Sequence, residues 1–198
     1  MTVEDIENTF KSARQAYRFL HEFQVRLRDT IERFRQEFDG FTYYASGPIH
    51  TDKPTFRQSP HQQDKWCLDL FPAYAYSMRY QSVSDTGKTA LLEICFWCDE
   101  NYDGEHDSLP PESEDSSTAF EVYFWEFNAV PDEKFVWKDL WNNHDYPEVG
   151  EIARHSDTNL NIVAIPIKNS ELETEEKIVK EAIRIKNEIV KKLNYDFD

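Results

Sequence analysis

The sequence predicts an α+β fold in which an antiparallel sheet of about 4–6 strands packs against a long N-terminal helix and a C-terminal helix. Three observations lead there: an apolar stripe of helical period at the start, aromatic and β-branched runs divided by turn residues in the middle, and a second amphipathic stretch at the end. Leu, Ile, Val and Phe make up about a quarter of the 198 residues. That is above the floor of roughly 20% at which chains stay disordered. One domain is expected over residues 1–198, with the sheet region at 41–168.

The first stripe alternates spacings of four and three and carries Ile6, Phe10, Ala13, Tyr17, Leu20, Gln24, Leu27, Ile31, Phe34 and Phe38. Thr2 with Asp5 resembles a capping box and Gly40 is a suitable stop, so one helix is predicted over 3–38. At 1.5 Å per residue it is roughly 50 Å long. Such a stripe can cross the chain's own sheet, or it can form a coiled coil between two copies with Gln24 marking the register. Ala16, Phe19, Phe23 and Val25 add apolar surface beside the stripe. That favours packing on the chain's own sheet, with the surface left over available to a homodimer.

Residues 41–65 read as a short strand followed by a loop with Pro48, Pro54 and Pro60. Strands are predicted over 66–81, 89–99, 119–128 and 161–168, and the turn material Ser84, Asp85, Thr86 and Gly87 joins the first two as a hairpin. Tyr74, Tyr76 and Tyr80 share one face, fit for a core or for a partly wet recognition surface. Phe120, Val122 and Phe124 alternate with Glu121 and Tyr123, the pattern of a half-buried antiparallel strand. A short helix over 131–142 starts at Pro131, and 143–160 reads as irregular. Ser170 and Glu173 open a last helix over 170–193 on Leu172, Ile178, Val179, Ala182, Ile185, Ile189 and Leu193.

Charge separates these parts. The chain has 38 acidic and 22 basic residues, net −16, and a surface of that sign does not bind nucleic acid or anionic lipid broadly. The predicted helices are close to neutral, whereas 41–170 carries −13. Residues 99–115, within the predicted 99–118 loop, hold eight acids, namely Asp99, Glu100, Asp103, Glu105, Asp107, Glu112, Glu114 and Asp115, and no Lys or Arg. A charge run of this kind stays hydrated as a loop.

Two sharper roles fit the same loop. Asp99, Asn101, Asp103 and Gly104 match the opening of a calcium loop, followed by Glu105 and Asp107; Pro110 then stands where the bidentate Glu belongs. The match to a calcium or magnesium loop is therefore incomplete, and beyond that ion no cofactor is expected. The second role is an acidic surface that attracts a basic partner protein. The leading expectation is a non-enzymatic protein-binding module, an inhibitor or regulator.

The alternative is a divalent-metal-dependent hydrolase of nuclease type, in which the strand carboxylates Asp69, Glu93 and Glu121 hold the metal that activates water. Against it, carboxylates on a wet sheet face are ordinary. His21, His50, His61, His106, His144 and His155 form no HExxH or HxH pair, and five glycines leave no phosphate-cradling loop. Cys67, Cys95 and Cys98 read as buried thiols rather than a redox or zinc CxxC. No apolar run approaches the ~18 residues of a membrane span, and no secretory signal pattern opens the chain, so a cytoplasmic location is expected.

Overall fold

A computed structural model describes residues 3–48, 75–83, 89–98, 118–128, 137, 140 and 143–197. Helix α1 spans Val3–Arg35 and is followed by strands β1 (Thr42–Pro48), β2 (Ala75–Val83), β3 (Thr89–Trp97), β4 (Ala119–Phe127), β5 (Ile152–His155) and β6 (Leu160–Ile167). A 3-10 turn over Asn169–Leu172 leads to the last helix, α2, over Glu175–Leu193. The six strands form one sheet in the order β1-β2-β3-β4-β6-β5, every neighbour antiparallel. The fold is α+β, with a sheet and two helices as the sequence predicts.

The helix side of the sheet is the larger core. Met78, Tyr80, Leu92, Ile94, Phe96, Val122, Phe124, Val163 and Ile165 point into it, met by Leu27, Ile31 and Phe34 of α1 and by Ile178, Ala182, Ile185 and Ile189 of α2. Tyr76 and Tyr80 are buried there, so these tyrosines are core rather than recognition surface. An aromatic knot closes one end: Phe41 lies 6.0 Å and Tyr195 4.8 Å from Phe124, and Phe38 lies 5.7 Å from Phe197. Polar staples dock the helices. Arg33 pairs with Glu175 across α1 and α2 at 2.9 Å. Glu181 of α2 accepts from the backbone N–H of Lys168 at 3.2 Å, while Arg184 donates to Glu181 and to the Pro166 carbonyl.

Several boundaries differ from the sequence reading for local reasons. α1 ends at Arg35, and the chain then turns through Gly40 at φ +76°. α2 starts five residues later than predicted, because Thr174, rather than Ser170, caps it by accepting from the Lys177 N–H. The stretch predicted as irregular contains β5, a four-residue edge strand turned back into β6 through Asn159 at φ 53°. Of the predicted helix at 131–142, Trp137 and Leu140 are described and helical. The predicted strand residues 66–74 lie outside the described residues.

The outer parts of α1 and the far face of the sheet also differ from expectation. Residues 5–19 of α1 are exposed throughout, Phe19 included at 72%, so only the second half of the helix lies on the sheet. Meanwhile β4 is covered on both faces, because a second core of Leu91, Cys95, Tyr123, Trp125, Trp137, Ile162 and Ala164 lies opposite the helices. No helix among the described residues is long and apolar enough to cross a membrane. Truncating the fully buried Phe34 to Ala is expected to lower unfolding free energy by about 3–5 kcal/mol. Val190→Ala on the exposed face of α2 should change it by no more than about 0.5 kcal/mol, both read by urea denaturation.

Candidate functional site

The polar groups of the second core cluster around the middle of β2, β3 and β4. Register places Arg79 opposite Glu93 and Glu93 opposite Tyr123, while Ser77, Cys95 and Glu121 form the next row on the same face. Glu93 is 1% exposed, so it does not sit on the wet face expected from the sequence. Arg79 Nη2 donates to Glu93 Oε1 at 2.6 Å and the Tyr146 hydroxyl donates to Glu93 Oε2 at 2.9 Å. Both carboxylate oxygens are therefore engaged. Glu121 Oε2 in turn accepts from Trp97 Nε1 at 3.0 Å and from the Tyr123 hydroxyl at 2.9 Å.

Tyr146 forms the boundary of this cluster. It is 40% exposed, but its hydroxyl turns inward and its ring stands edge-on to Tyr123 at 4.7 Å and to Trp125 at 5.1 Å. Burial works against the Arg79 charge, yet Glu93, and after it Tyr146 and Cys95, outweigh burial and hold its pKa above the ordinary value. Burial, then Glu93, pushes the Cys95 thiol well up. Burial followed by the nearby carboxylates raises Tyr123 and Tyr146 as well. At neutral pH the cluster holds a cation against carboxylates, with the phenols and the thiol keeping their protons. Such an arrangement neutralises charge and fixes geometry, and no thiolate is available to attack a substrate.

The sequence-predicted residues thus divide. Glu93 and Glu121 come together as diagonal neighbours on adjacent strands, with each already hydrogen bonded inside the fold. Asp69 lies outside the described residues. So do all the acidic-loop residues, namely Asp99, Glu100, Asn101, Asp103, Glu105, Asp107, Glu112, Glu114 and Asp115. Cys98 is exposed just beyond β3, which corrects its reading as a buried thiol, while Cys95 is buried as expected.

Sequence reasoning missed other polar groups. Glu126 is buried and accepts from Asn161 Nδ2 at 2.9 Å; its place two residues beyond Phe124 was the available signal. His144 and His155, eleven residues apart, bring their rings to 4.4 Å. Burial, then His155, lowers the pKa of His144. No group of three His, Cys, Asp or Glu suited to a metal ion occurs among the described residues. A groove of about 760 Å³ between α1 and the start of α2 is lined by both signs of charge, including Arg26, Asp29, Arg33 and Glu175. It contains neither Glu93 nor Glu121.

The profile of the PM0109 family matches residues 3–194, both helices and all six strands included. The chain belongs to the PM0109 family. No curated protein and no solved structure matches it. In this PM0109 member the buried cluster has two measurable consequences. Glu93→Leu leaves Arg79 buried without its carboxylate and is expected to cost about 3–5 kcal/mol, whereas Arg79→Met combined with Glu93→Leu should recover much of that loss in a urea-denaturation cycle. Cys95, Tyr123 and Tyr146 hold their protons more tightly in the fold than in the unfolded chain, which therefore ionises first as pH rises. Their contribution is complete below about pH 9, the ordinary thiol value being 9.0, and is lost as pH climbs toward the raised values. Stability is expected to fall above that pH, less steeply in Cys95→Ala, and an alkylating reagent at pH 8 should label Cys98 while sparing Cys95.

Proposed function

We propose that this chain is a non-enzymatic protein-binding module that engages a basic partner protein, as an inhibitor or regulator does. The observation that carries the reading is where uncompensated acid lies. The buried carboxylates Glu93, Glu126 and Glu181 are each engaged by an internal donor. By contrast, residues 143–160 expose Asp145, Glu148, Glu151 and Asp157 around the edge strand β5, with Arg154 the one exposed Lys or Arg in that stretch. The eight acids of 99–115 belong to the same negative middle segment. A surface of this kind speeds encounter with a basic patch and disfavours acidic competitors.

Support for a non-catalytic role comes from Glu93 and Glu121. A metal-dependent hydrolase needs carboxylate oxygens open to a metal and to water, while both oxygens of Glu93 and one of Glu121 are taken up by neighbouring side chains. Self-association through the exposed part of α1 is a second protein contact of the same general kind.

The test begins with co-purification from the host at low salt. The affinity of the recovered basic protein is then measured at about 50 and 200 mM salt, where the Debye length falls from roughly 14 to 7 Å. Affinity should drop at least about tenfold with salt. Changing the acids of 99–115 to their amides should remove most of that dependence. A salt-independent affinity, or the absence of any basic protein together with a melting temperature raised by magnesium or calcium, would overturn the reading in favour of a metal site.

A further inference from the structure

We propose that the exposed first half of α1 pairs antiparallel with the same segment of a second copy of this chain. The inference goes beyond the basic-partner reading and does not depend on it, since it uses a different surface. Ile6, Phe10, Ala13 and Tyr17 continue the stripe that buries Leu27, Ile31 and Phe34, yet Ile6 is 39%, Phe10 59% and Tyr17 65% exposed. With about 150–250 Å² per aromatic side chain, the stripe leaves on the order of 300 Å² of apolar surface uncovered, comparable to the largest apolar patch of an ordinary monomer, which is often functional.

Charge and side-chain size select the occupant and its direction. Residues 4–7 are acidic, with Glu4, Asp5 and Glu7, and residues 11–18 are basic, with Lys11, Arg14 and Arg18. Glu7, Lys11, Arg14 and Arg18 form no ion pair among the described residues. Two copies laid antiparallel about a point between residues 11 and 12 bring the acidic turn of each against the basic turns of the other. In that register Ile6 meets Tyr17, Phe10 meets the small Ala13, and Glu7 flanks Arg14, each contact occurring twice about a two-fold axis. A parallel pair instead stacks Phe10 on Phe10 and Ala13 on Ala13, so bulk is unevenly layered, and it sets Glu7 and Arg14 opposite Thr2 and Thr9 of the partner, so the Glu7–Arg14 charge pair is lost. Phe19 lies outside the seam in both cases.

The apolar patch is less than half of the roughly 800 Å² that each partner buries in a standard interface. The dimer should therefore be reversible at micromolar concentration. Sedimentation equilibrium of the full chain is expected to show concentration-dependent dimerisation. Phe10→Asp should weaken it at least about tenfold while leaving the circular dichroism of the sheet and of α2 in place, because Phe10 is exposed in the single chain. The charge pair tests direction: Glu7→Lys alone and Arg14→Glu alone should each weaken the dimer severalfold, and the two together should restore it. A monomer throughout the micromolar range, or a dimer indifferent to Phe10→Asp, overturns the proposal. A double variant no tighter than either single one overturns the antiparallel register.

Discussion

Arg79 and Glu93 face each other from neighbouring strands inside a sheet covered on both sides, and this fixes how the remaining strands can lie. Successive strand residues point to opposite faces, so a one-residue slip of β3 would carry Glu93 to the helix side among Met78, Tyr80, Val122 and Phe124 of the flanking strands, and would turn Leu92 and Ile94 away from it. There it would lose Arg79 and Tyr146 together. A buried ion pair adds little net stability compared with a well-packed apolar pair, but breaking it is severe. The pair's role here is to make one register much better than its neighbours, with β4 following through Tyr123 and residues 143–150 tied down through Tyr146.

The two faces solve the burial problem differently. On the helix side, apolar side chains from both ends of the chain fill the space, and carboxylates enter only with donors, Glu126 with Asn128 and Asn161 and Glu181 with Arg184. On the other side an aromatic and polar layer covers the sheet, Tyr146 standing between the Arg79–Glu93 pair and water. Acidic residues therefore fall into two populations, those matched inside the fold and those left at the surface, and the second population gives the protein its external field.

How much of this was legible depended on whether the signal was local. The period of α1, the strand runs and the hairpin rested on spacing and turn chemistry, and among the described residues the helix, the strands and the antiparallel pairing of β2 with β3 appear. Periodicity could not say whether the partner of the stripe lies in the same chain, which is why Ile6 and Leu27 look alike in sequence and differ in the fold. β5 escaped because a four-residue edge strand containing Arg154 and His155 has almost no apolar signature. Glu93 was placed on the wrong side of the water boundary, although Leu91 and Cys95, which share its face, already marked that face as apolar. The approach of His144 to His155 depends on the turn into β5 and had no sequence signal. The candidate site was thus half visible: its carboxylates were picked out, while Arg79 and Tyr146, which occupy them, were not.

The aromatic knot of Phe38, Phe41, Phe124, Tyr195 and Phe197 bears on how the chain reaches this state. It draws together segments that begin about 40 residues from one terminus and finish beside the other, with β4 between them. By comparison, β2 and β3 are neighbours in sequence, and their pairing closes a short loop. Distant contacts carry the larger entropic toll and form later. Folding should accordingly run from the central strands outward, the helix-facing core sealing only as residues 175–197 dock. Until then Phe34, Phe124 and Ile185 stay open to water, and that interval is when the chain is most exposed to aggregation.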